Sequence, residues 1–393
     1  MEAAPFYVPD FSVKIDGQDL PAAMRASVTQ VTYQDGMNEV DRVEIELANT
    51  NLRWLQSHIR GLGFRPFPTG VKLGPIGAHA GPEGLFDLDN KLTLGMGYVP
   101  GPFNDMFEGE ITGLDIKFPN GGMPTMTIVA HDYLHRMAEG SYARGFGPLP
   151  DFLVATIVSA ENLLIPAIDP AIIEISTAVA VVNFIFSGTG RKQKGQSDLK
   201  LMQEIAATYG ADFWVEGNVF YFSRFIKDYA PSVTLTWGES LLDFAPHVST
   251  VGQSVGVAGR FTLREIPLDF VVTVSWDFAR EAIVILVVPG MGATFVKTIT
   301  GPLISIITKP IVSPADLTNS ALSLANELRN MLNNRLTGSG TAVGNPGIRA
   351  GAIVRLQGLG PDFSGDYRVA SAEHTIGPEG YRTKFKVRKE IIP

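Results

Sequence analysis

The chain has 393 residues, 45% of them hydrophobic and 18% charged, with a net charge of −8 and a pI near 5.3. That balance supplies core material for roughly two to four domains and argues against a high-affinity nucleic-acid surface, which needs a basic patch. The absence of cysteine excludes disulfides, thiolate nucleophiles and cysteine-ligated metals.

The 41 glycines and 26 prolines are spread along the chain, a texture suited to many short strands joined by turns. The opening "MEAAPFYVPDFSVKIDG" has an acidic start and no apolar run of the kind a signal peptide needs. "FSVKIDGQDL" and "ASVTQVTYQDG" alternate as half-buried strands, with turns expected at Asp16-Gly17 and Asp35-Gly36. "VDRVEIELAN" places Val43, Ile45 and Leu47 on one face and Arg42, Glu44 and Glu46 on the other. Residues 61–84, rich in glycine and proline, read as a surface loop or insertion.

From Pro150 the texture changes. "DFLVATIVSAENLLI" reads as a helix. Two apolar stretches, from Ala171 to Gly188 and from Ala282 to Val296, are short for membrane spans and rich in β-branched residues, so buried strands are expected. Ser197 is a helix N-cap, Asp198 suits the positive end of the dipole, and Gly210 is the stop. Leu199, Met202, Ala206 and Tyr209 fall near one face of that helix. "DFWVEGNVFYF" then turns at Gly217-Asn218 between two aromatic strands, whose Phe213, Trp214, Phe220, Tyr221 and Phe222 are expected to pack rather than to form a ligand platform. Strands return after Pro231. A last helix is expected over 313–337, capped by Ser313 and ended by Gly338, with a loop, "TGSGTAVGNPG", after it.

The chain carries an internal repeat. The segments starting at Leu92 and at Ile353 each have a strand, a glycine-broken turn and then Phe-x-Gly, so Phe107 and Gly109 correspond to Phe363 and Gly365. Further on, Gly122, Thr125 and Val129 correspond to Gly380, Thr383 and Val387. Two similar β-domains, one near each end, make the chain pseudo-two-fold, and three such chains around an axis would make a ring of six similar domains.

Chemistry-bearing motifs are sparse. His131 and His135 stand at i, i+4, but Asp132 occupies the place where a zincin helix needs glutamate, so a structural turn is expected and no metal. There is no nucleophile elbow, P-loop or dinucleotide fingerprint. Arg191, Lys192 and Lys194 read as a solvated loop, Glu216 as a solvated turn residue, and His374 as a hydrogen-bonded strand residue.

"GQSDLKLMQEIAATYGADFWVEGNVFYF" resembles the middle segment of phage late control D proteins. "MFEGEITGLDIKFPNGGMPTMTIVAHDYLHRM" is similar to the end of their first barrel, and "IRAGAIVRLQGLGPDFSGDYRVASAEHTIGPEGYRTKFKV" to the end of their second. The opening "FSVKIDGQDLP" and "VDRVEIELAN" also fit, so the resemblance follows the family's order over most of the chain. The family includes the hub part of VgrG spike proteins and the hubs of extracellular contractile injection systems.

The resemblance implies a mainly β fold with an α+β insert: a first tube-like β-barrel over 1–140, a mixed α/β segment over 141–230, and a second barrel over 231–393 that includes the helix at 313–337. It implies a non-enzymatic baseplate or tail hub. Such a hub is a homotrimer whose pseudo-hexameric ring joins a six-fold tail tube to a three-fold spike, without cofactor, membrane insertion or stable nucleic-acid binding. The partners implied are a tube or initiator ring protein, other baseplate components and, since the sequence ends at Pro393 just after the second barrel segment, a separate spike. Assembly in the bacterial cytoplasm into a phage tail or injection particle is expected. The residues expected to hold the scaffold are Phe107, Gly109, Gly122, Thr125, Trp214, Gly358, Gly360, Phe363, Gly365, Tyr367, Gly380 and Thr383. The rival readings are a tail-associated cell-wall hydrolase, which needs a catalytic carboxylate, and a glycan-binding module built on the aromatic hairpin.

Overall fold

The computed structural model describes residues 8–49, 85–186, 190–223, 230–248, 256–262, 269–277, 282–289, 304–307, 326, 333 and 336–389. The segment 61–84 and most of the expected helix over 313–337 lie outside them. The chain is mainly β with an α+β insert, as its alternating patterns foretell.

The first part supplies β1 (Val8–Ile15), β2 (Gln18–Asp19), a helical turn α1 (Ala22–Arg25), β3 (Val28–Gly36), β4 (Arg42–Ala48), β5 (Lys91–Val99), β6 (Asn104–Lys117) and β7 (Thr125–Asp132). The alternation predicted for "VDRVEIELAN" holds: Val43, Ile45 and Leu47 are fully buried in β4. Asp16 and Gly17 turn as expected, both with positive φ. Asp35-Gly36 does not turn. It stays in β3, and the reversal follows it, with Asn38 in the left-handed region at φ 60°.

A second set of elements forms the middle: a helical turn α2 (His135–Ala138), β8 (Tyr142–Gly145), α3 (Asp151–Glu161), β9 (Ile165–Ile168), α4 (Pro170–Phe186), β10 (Lys192–Gln196), α5 (Asp198–Tyr209), β11 (Asp212–Glu216) and β12 (Val219–Ser223). α5 has the caps read from sequence. Ser197 Oγ accepts from Lys200 N–H at 3.3 Å, and Gly210 ends the helix in the left-handed region at φ 59°. Its buried face is Leu201, Met202, Ile205, Ala206 and Tyr209, with Leu199 half-buried at the side.

The stretch from Ala171 corrects an expectation, because it is helix α4 and not a strand. Pro170 sits in the first turn, and Asp169 Oδ1 accepts from Ala171 N–H at 2.9 Å, so the start is well formed despite the β-branched content. Among the described residues no helix is long and apolar enough to cross a membrane.

The last part adds β13 (Pro231–Thr236), β14 (Leu241–Val248), β15 (Gly256–Thr262), β16 (Asp269–Asp277), β17 (Ala282–Pro289), β18 (Ile304–Ile307), β19 (Leu336–Val343), β20 (Ile353–Gln357), a helical turn α6 (Gly360–Phe363), β21 (Gly365–Gly377) and β22 (Gly380–Arg388). Strands β15–β18 make a separate four-stranded sheet, inserted in the chain between β14 and β19. The second apolar stretch contains β17, as expected. Only the end of "TGSGTAVGNPG", from Gly344 to Gly347, is a loop: its first seven residues lie in β19, which starts at Leu336, so the expected helix cannot reach 337. Gly338 and Gly340 serve the strand, because a Cβ would lie 2.5 Å from the Phe244 ring and 2.8 Å from the Asp243 carbonyl.

The described strands of the first and last parts form one thirteen-stranded sheet. Its main path runs β14-β19-β22-β21-β3-β4-β7-β6-β5-β1-β2, open at both ends among the described strands. Within it a five-strand unit occurs twice. The pairing β3-β4-β7-β6-β5 recurs as β14-β19-β22-β21-β20, antiparallel throughout. Two register shifts fall at equivalent places: the ladder skips Thr29 and Thr112 in the first unit, Leu242 and Ala370 in the second, whereas a third shift, at Met106 between β5 and β6, has no counterpart between β20 and β21. Such bulges bend a strand locally, so the two units curve alike where they share them.

Three buried clusters follow this plan. One fills the first unit with residues such as Ile45, Leu92, Met96 and Ile128, and takes in Ile376 and Tyr381 from the second. Another holds α3 and α5 against the hairpin β11–β12. The third fills the second unit around Leu356, Tyr367 and Phe385.

Candidate functional site

The two units meet where β3 pairs with β21, from Gly36 opposite Ser371 to Val31 opposite Ile376. On the core face of this seam Val31, Tyr33 and Asp35 lie against Ala372, His374 and Ile376, all buried. Alternation puts Gln34 and Glu373 on the opposite face, where they share a hydrogen bond.

A polar network ties the seam. Arg349 Nε donates to Asp35 Oδ2 at 2.7 Å, and another guanidinium nitrogen donates to the Tyr33 hydroxyl at 2.8 Å. That hydroxyl donates in turn to Asp41 Oδ2 at 2.7 Å. Asp41 Oδ1 accepts from Gly36 N–H at 3.1 Å, and Asp35 Oδ2 also accepts from Ala350 N–H at 2.9 Å. His374 stacks on Tyr33 with centroids 5.9 Å apart, and its ring nitrogens contact the Ile348 carbonyl at 2.9 Å, the Tyr381 hydroxyl at 3.0 Å and Thr383 Oγ1 at 3.1 Å.

Burial sets the charge states here. Desolvation, with Asp35 nearby, pushes the Asp41 carboxyl up to about 7. Asp132 rises well above the carboxylate range, chiefly by desolvation and then by the Asp41 charge. Desolvation lowers His374 to about 4, so its imidazole is neutral at pH 7. These groups bond to backbone and to one another within the sheet, an arrangement suited to locking two units in register.

Asn38 joins the first unit to the middle segment. Its Oδ1 accepts from Phe213 N–H at 2.7 Å, its Nδ2 donates to Asp212 Oδ1 at 2.9 Å, and its carbonyl accepts from Gln203 Nε2 at 3.1 Å. The hairpin β11–β12 is two-faced. Phe213, Phe220 and Phe222 are fully buried, while Trp214 and Tyr221 stack half-buried on the other face, with centroids 5.3 Å apart and planes 9° apart. Trp214 Nε1 donates to Glu216 at 3.0 Å.

The residues expected to hold the scaffold are spread over several places. Phe107 and Thr383 flank the seam, Phe107 edge-on to Tyr33 at 5.9 Å and Thr383 on His374. Gly109, also in β6, has no room for a side chain, since a Cβ would lie 2.1 Å from the His131 carbonyl. Gly122 and Thr125 lead into β7, and Gly380, at φ 88°, opens β22. Gly358, Gly360 and Gly365 all take positive φ around α6, and the Tyr367 hydroxyl donates to the Phe363 carbonyl at 2.7 Å. Trp214 stands apart in the hairpin.

The repeat read from sequence finds the right strands with a small offset. Gly109 is three residues before the bulge at Thr112, a place held in the second unit by Tyr367, three before Ala370. Phe107 lies in β6, whereas Phe363 closes α6. The loops before and between the paired strands differ in length, and alignment on side-chain letters absorbs that difference in the wrong place.

His131 lies in β7 and His135 at the start of α2, with ring centroids 6.3 Å apart. His131 Nδ1 is 2.6 Å from Thr112 Oγ1, and His135 Nδ1 is 2.6 Å from the Asp132 carbonyl. Among the described residues no group of three or more His, Asp or Glu could hold a metal. Arg191 is not in a solvated loop: it pairs with Asp151, which also accepts from the Tyr209 hydroxyl at 2.9 Å, and Lys192 and Lys194 lie in β10. Sequence reasoning missed Tyr33, Asp35, Asn38, Asp41 and Arg349. The only local signal was the acidic pair bracketing "GMNEV", which reads as an ordinary turn.

No family model matches the sequence, and no curated protein matches it. Solved structures do. The chain is similar to the 43 kDa tail protein of prophage MuSo2 from Shewanella oneidensis, with a TM-score of 0.59 at 10% identity over 97% of this chain and 98% of that one. It is similar to the tail protein from Neisseria meningitidis MC58, with a TM-score of 0.58 at 12% identity over 98% and 97%. It is also similar to the E. coli c3393 protein, a component of the type VI secretion system with structural similarity to the T4 tail proteins gp27 and gp5. There the TM-score is 0.50 at 11% identity, over 97% of this chain and 80% of that one. At these identities the likeness is one of fold, and it extends over nearly the whole chain.

Proposed function

We propose that this chain is a structural, non-enzymatic hub subunit of a phage tail or related contractile injection machine. Three copies form a ring of six similar β-units, one face of which binds a tail-tube ring and the other a spike. The particle assembles in the bacterial cytoplasm, and the chain needs neither cofactor nor metal.

The observation that carries this reading is the five-strand unit, present twice with two bulges at equivalent places and joined through one sheet. A duplicated unit lets a three-fold assembly present six nearly equivalent positions, which is what a junction between six-fold and three-fold parts requires. The fold likeness to two tail proteins and to a type VI secretion component supports the same setting. The buried seam fits a scaffold, since its carboxylates are engaged in holding strands.

Native mass spectrometry of the purified chain tests the stoichiometry, with a trimer expected. Electron microscopy of the chain co-produced with its tube and spike proteins tests the role, with density expected between the two. A monomer that ignores both partners overturns the proposal.

A further inference from the structure

The internal duplication leaves two strand edges whose counterparts are already paired inside the chain. β21 uses one side of its length twice, pairing first with β20 and then, from Ser371 to Ile376, with β3. β6 is its counterpart and pairs on that side with β5 only as far as Glu110. Among the described residues no strand covers that side of residues 113–117. β14 is the counterpart of β3. It stands at the end of the sheet path with β19 as its strand partner, and most of it is exposed.

We propose that these two edges pair between copies of the chain: the second half of β6 in one copy adds antiparallel to β14 of the next, in the register of the internal seam. Counting from the bulges places Leu114 opposite Val248, Asp115 opposite His247, Ile116 opposite Pro246, Lys117 opposite Ala245 and Phe118 opposite Phe244. The faces sort accordingly. Leu114, Ile116 and Phe118 meet Phe244, Pro246 and Val248 on the face that the internal seam uses for its core. Asp115 and Lys117 meet His247 and Ala245 on the other. Phe118 is 66% exposed and Val248 51% exposed, so the pairing covers apolar surface that the single chain leaves open.

The two edges differ, so the contact is head-to-tail and repeats around a ring. Pro246 tempers it. The Met37 N–H donates to the Ala370 carbonyl, and alternation from there aims the Tyr33 N–H at β21. Pro246, the counterpart of Tyr33, has no donor to offer at that place. An edge proline of this kind discourages indiscriminate strand addition and leaves selectivity to the side chains.

The inference rests on the ring-forming reading above and assigns its interface. The chain has no cysteine, so introduced thiols report cleanly. By the same alternation Asp115 and His247 form a non-hydrogen-bonded pair, whose Cα atoms approach to about 4.5 Å, within disulfide range. The double variant Asp115→Cys/His247→Cys, oxidised gently, is expected to run as covalent dimer and trimer on a non-reducing gel. Either single variant is expected to stay monomeric there. Phe118→Asp, at an exposed site, is expected to shift native mass from oligomer to monomer with an unchanged melting temperature. An oligomer that neither cross-links nor responds to Phe118→Asp overturns this interface and leaves the ring reading standing. A double variant that is monomeric both by native mass and on the gel, like the unmodified chain, overturns both.

Discussion

Arg349 and Asp35, far apart in sequence, meet at 2.7 Å and tie the connection between β19 and β20 to β3. The Asp35 side chain is 8% exposed and the Arg349 side chain 35%, so the pair is half screened on the cation's side. Arg349→Met leaves a buried carboxylate with only the Ala350 N–H and removes a donor from Tyr33. A loss of about 2–3 kcal/mol in urea unfolding is expected, with part of it recovered in Asp35→Asn/Arg349→Met. An additive double variant would show that the two residues do not act as a pair.

The seam makes two opposed contributions to pH dependence. His374 has a folded pKa of about 4, below its unfolded value near 6.5, so its contribution is present above pH 6.5 and is lost as pH falls towards 4. Asp41 has a folded pKa of about 7, above its unfolded value, so its contribution is present below pH 4 and is lost as pH rises towards 7. The difference between variant and parent isolates each. Relative to the parent, His374→Gln is expected to gain stability as pH falls from 6.5 to 4, and Asp41→Asn as pH rises over the same range. Melting temperatures across pH 4–7 measure both, and parallel curves for parent and variants would contradict the assignment.

Gly109 is a steric position. Gly109→Ala drives a methyl into the His131 carbonyl between β6 and β7, with an expected loss of about 3 kcal/mol, the upper end of the range for overpacking. Gly145→Ala, where a Cβ meets nothing within 4 Å, is expected to be nearly neutral. Chemical denaturation of the two variants gives the comparison.

The aromatic hairpin divides by face. Phe220→Ala empties a fully buried site and is expected to cost about 3–5 kcal/mol. Trp214→Ala removes a half-buried stack and one hydrogen bond, with an expected loss of about 1 kcal/mol. Asn38→Ala strips both side-chain bonds to the hairpin and replaces a residue suited to φ 60° with one that is not, for about 2 kcal/mol. Thermal melts rank the three, and a Trp214 effect as large as that of Phe220 would contradict the two-faced reading.

Local periodicity was legible where a residue's surroundings are set by its near neighbours. The β4 alternation, the α5 caps and the Gly217-Asn218 turn follow from side-chain spacing and backbone freedom, which act over a few residues. The same logic failed at α4, where β-branched residues pointed to a strand, and at β19, where glycines pointed to a loop. At α4 the local start signal, Asp169 and Pro170, outweighed the β-branched content, whereas at β19 contacts decided, with aromatic rings pressed onto Gly338 and Gly340.

By itself the sequence determined that this is a cysteine-free, acidic, mainly β chain with an α/β middle and a repeated β-unit. Each of those properties is compositional or periodic and survives without knowledge of what lies across the fold. Only the tertiary structure decided that the repeats share one sheet, that β3 and β21 form the seam, and that Tyr33, Asp35, Asp41, Arg349 and His374 lock it. Pairing between strands so distant in sequence carries no local signal. Its register is set by the burial of matched faces and by bulges that alter the count, and both exist only once the strands are side by side.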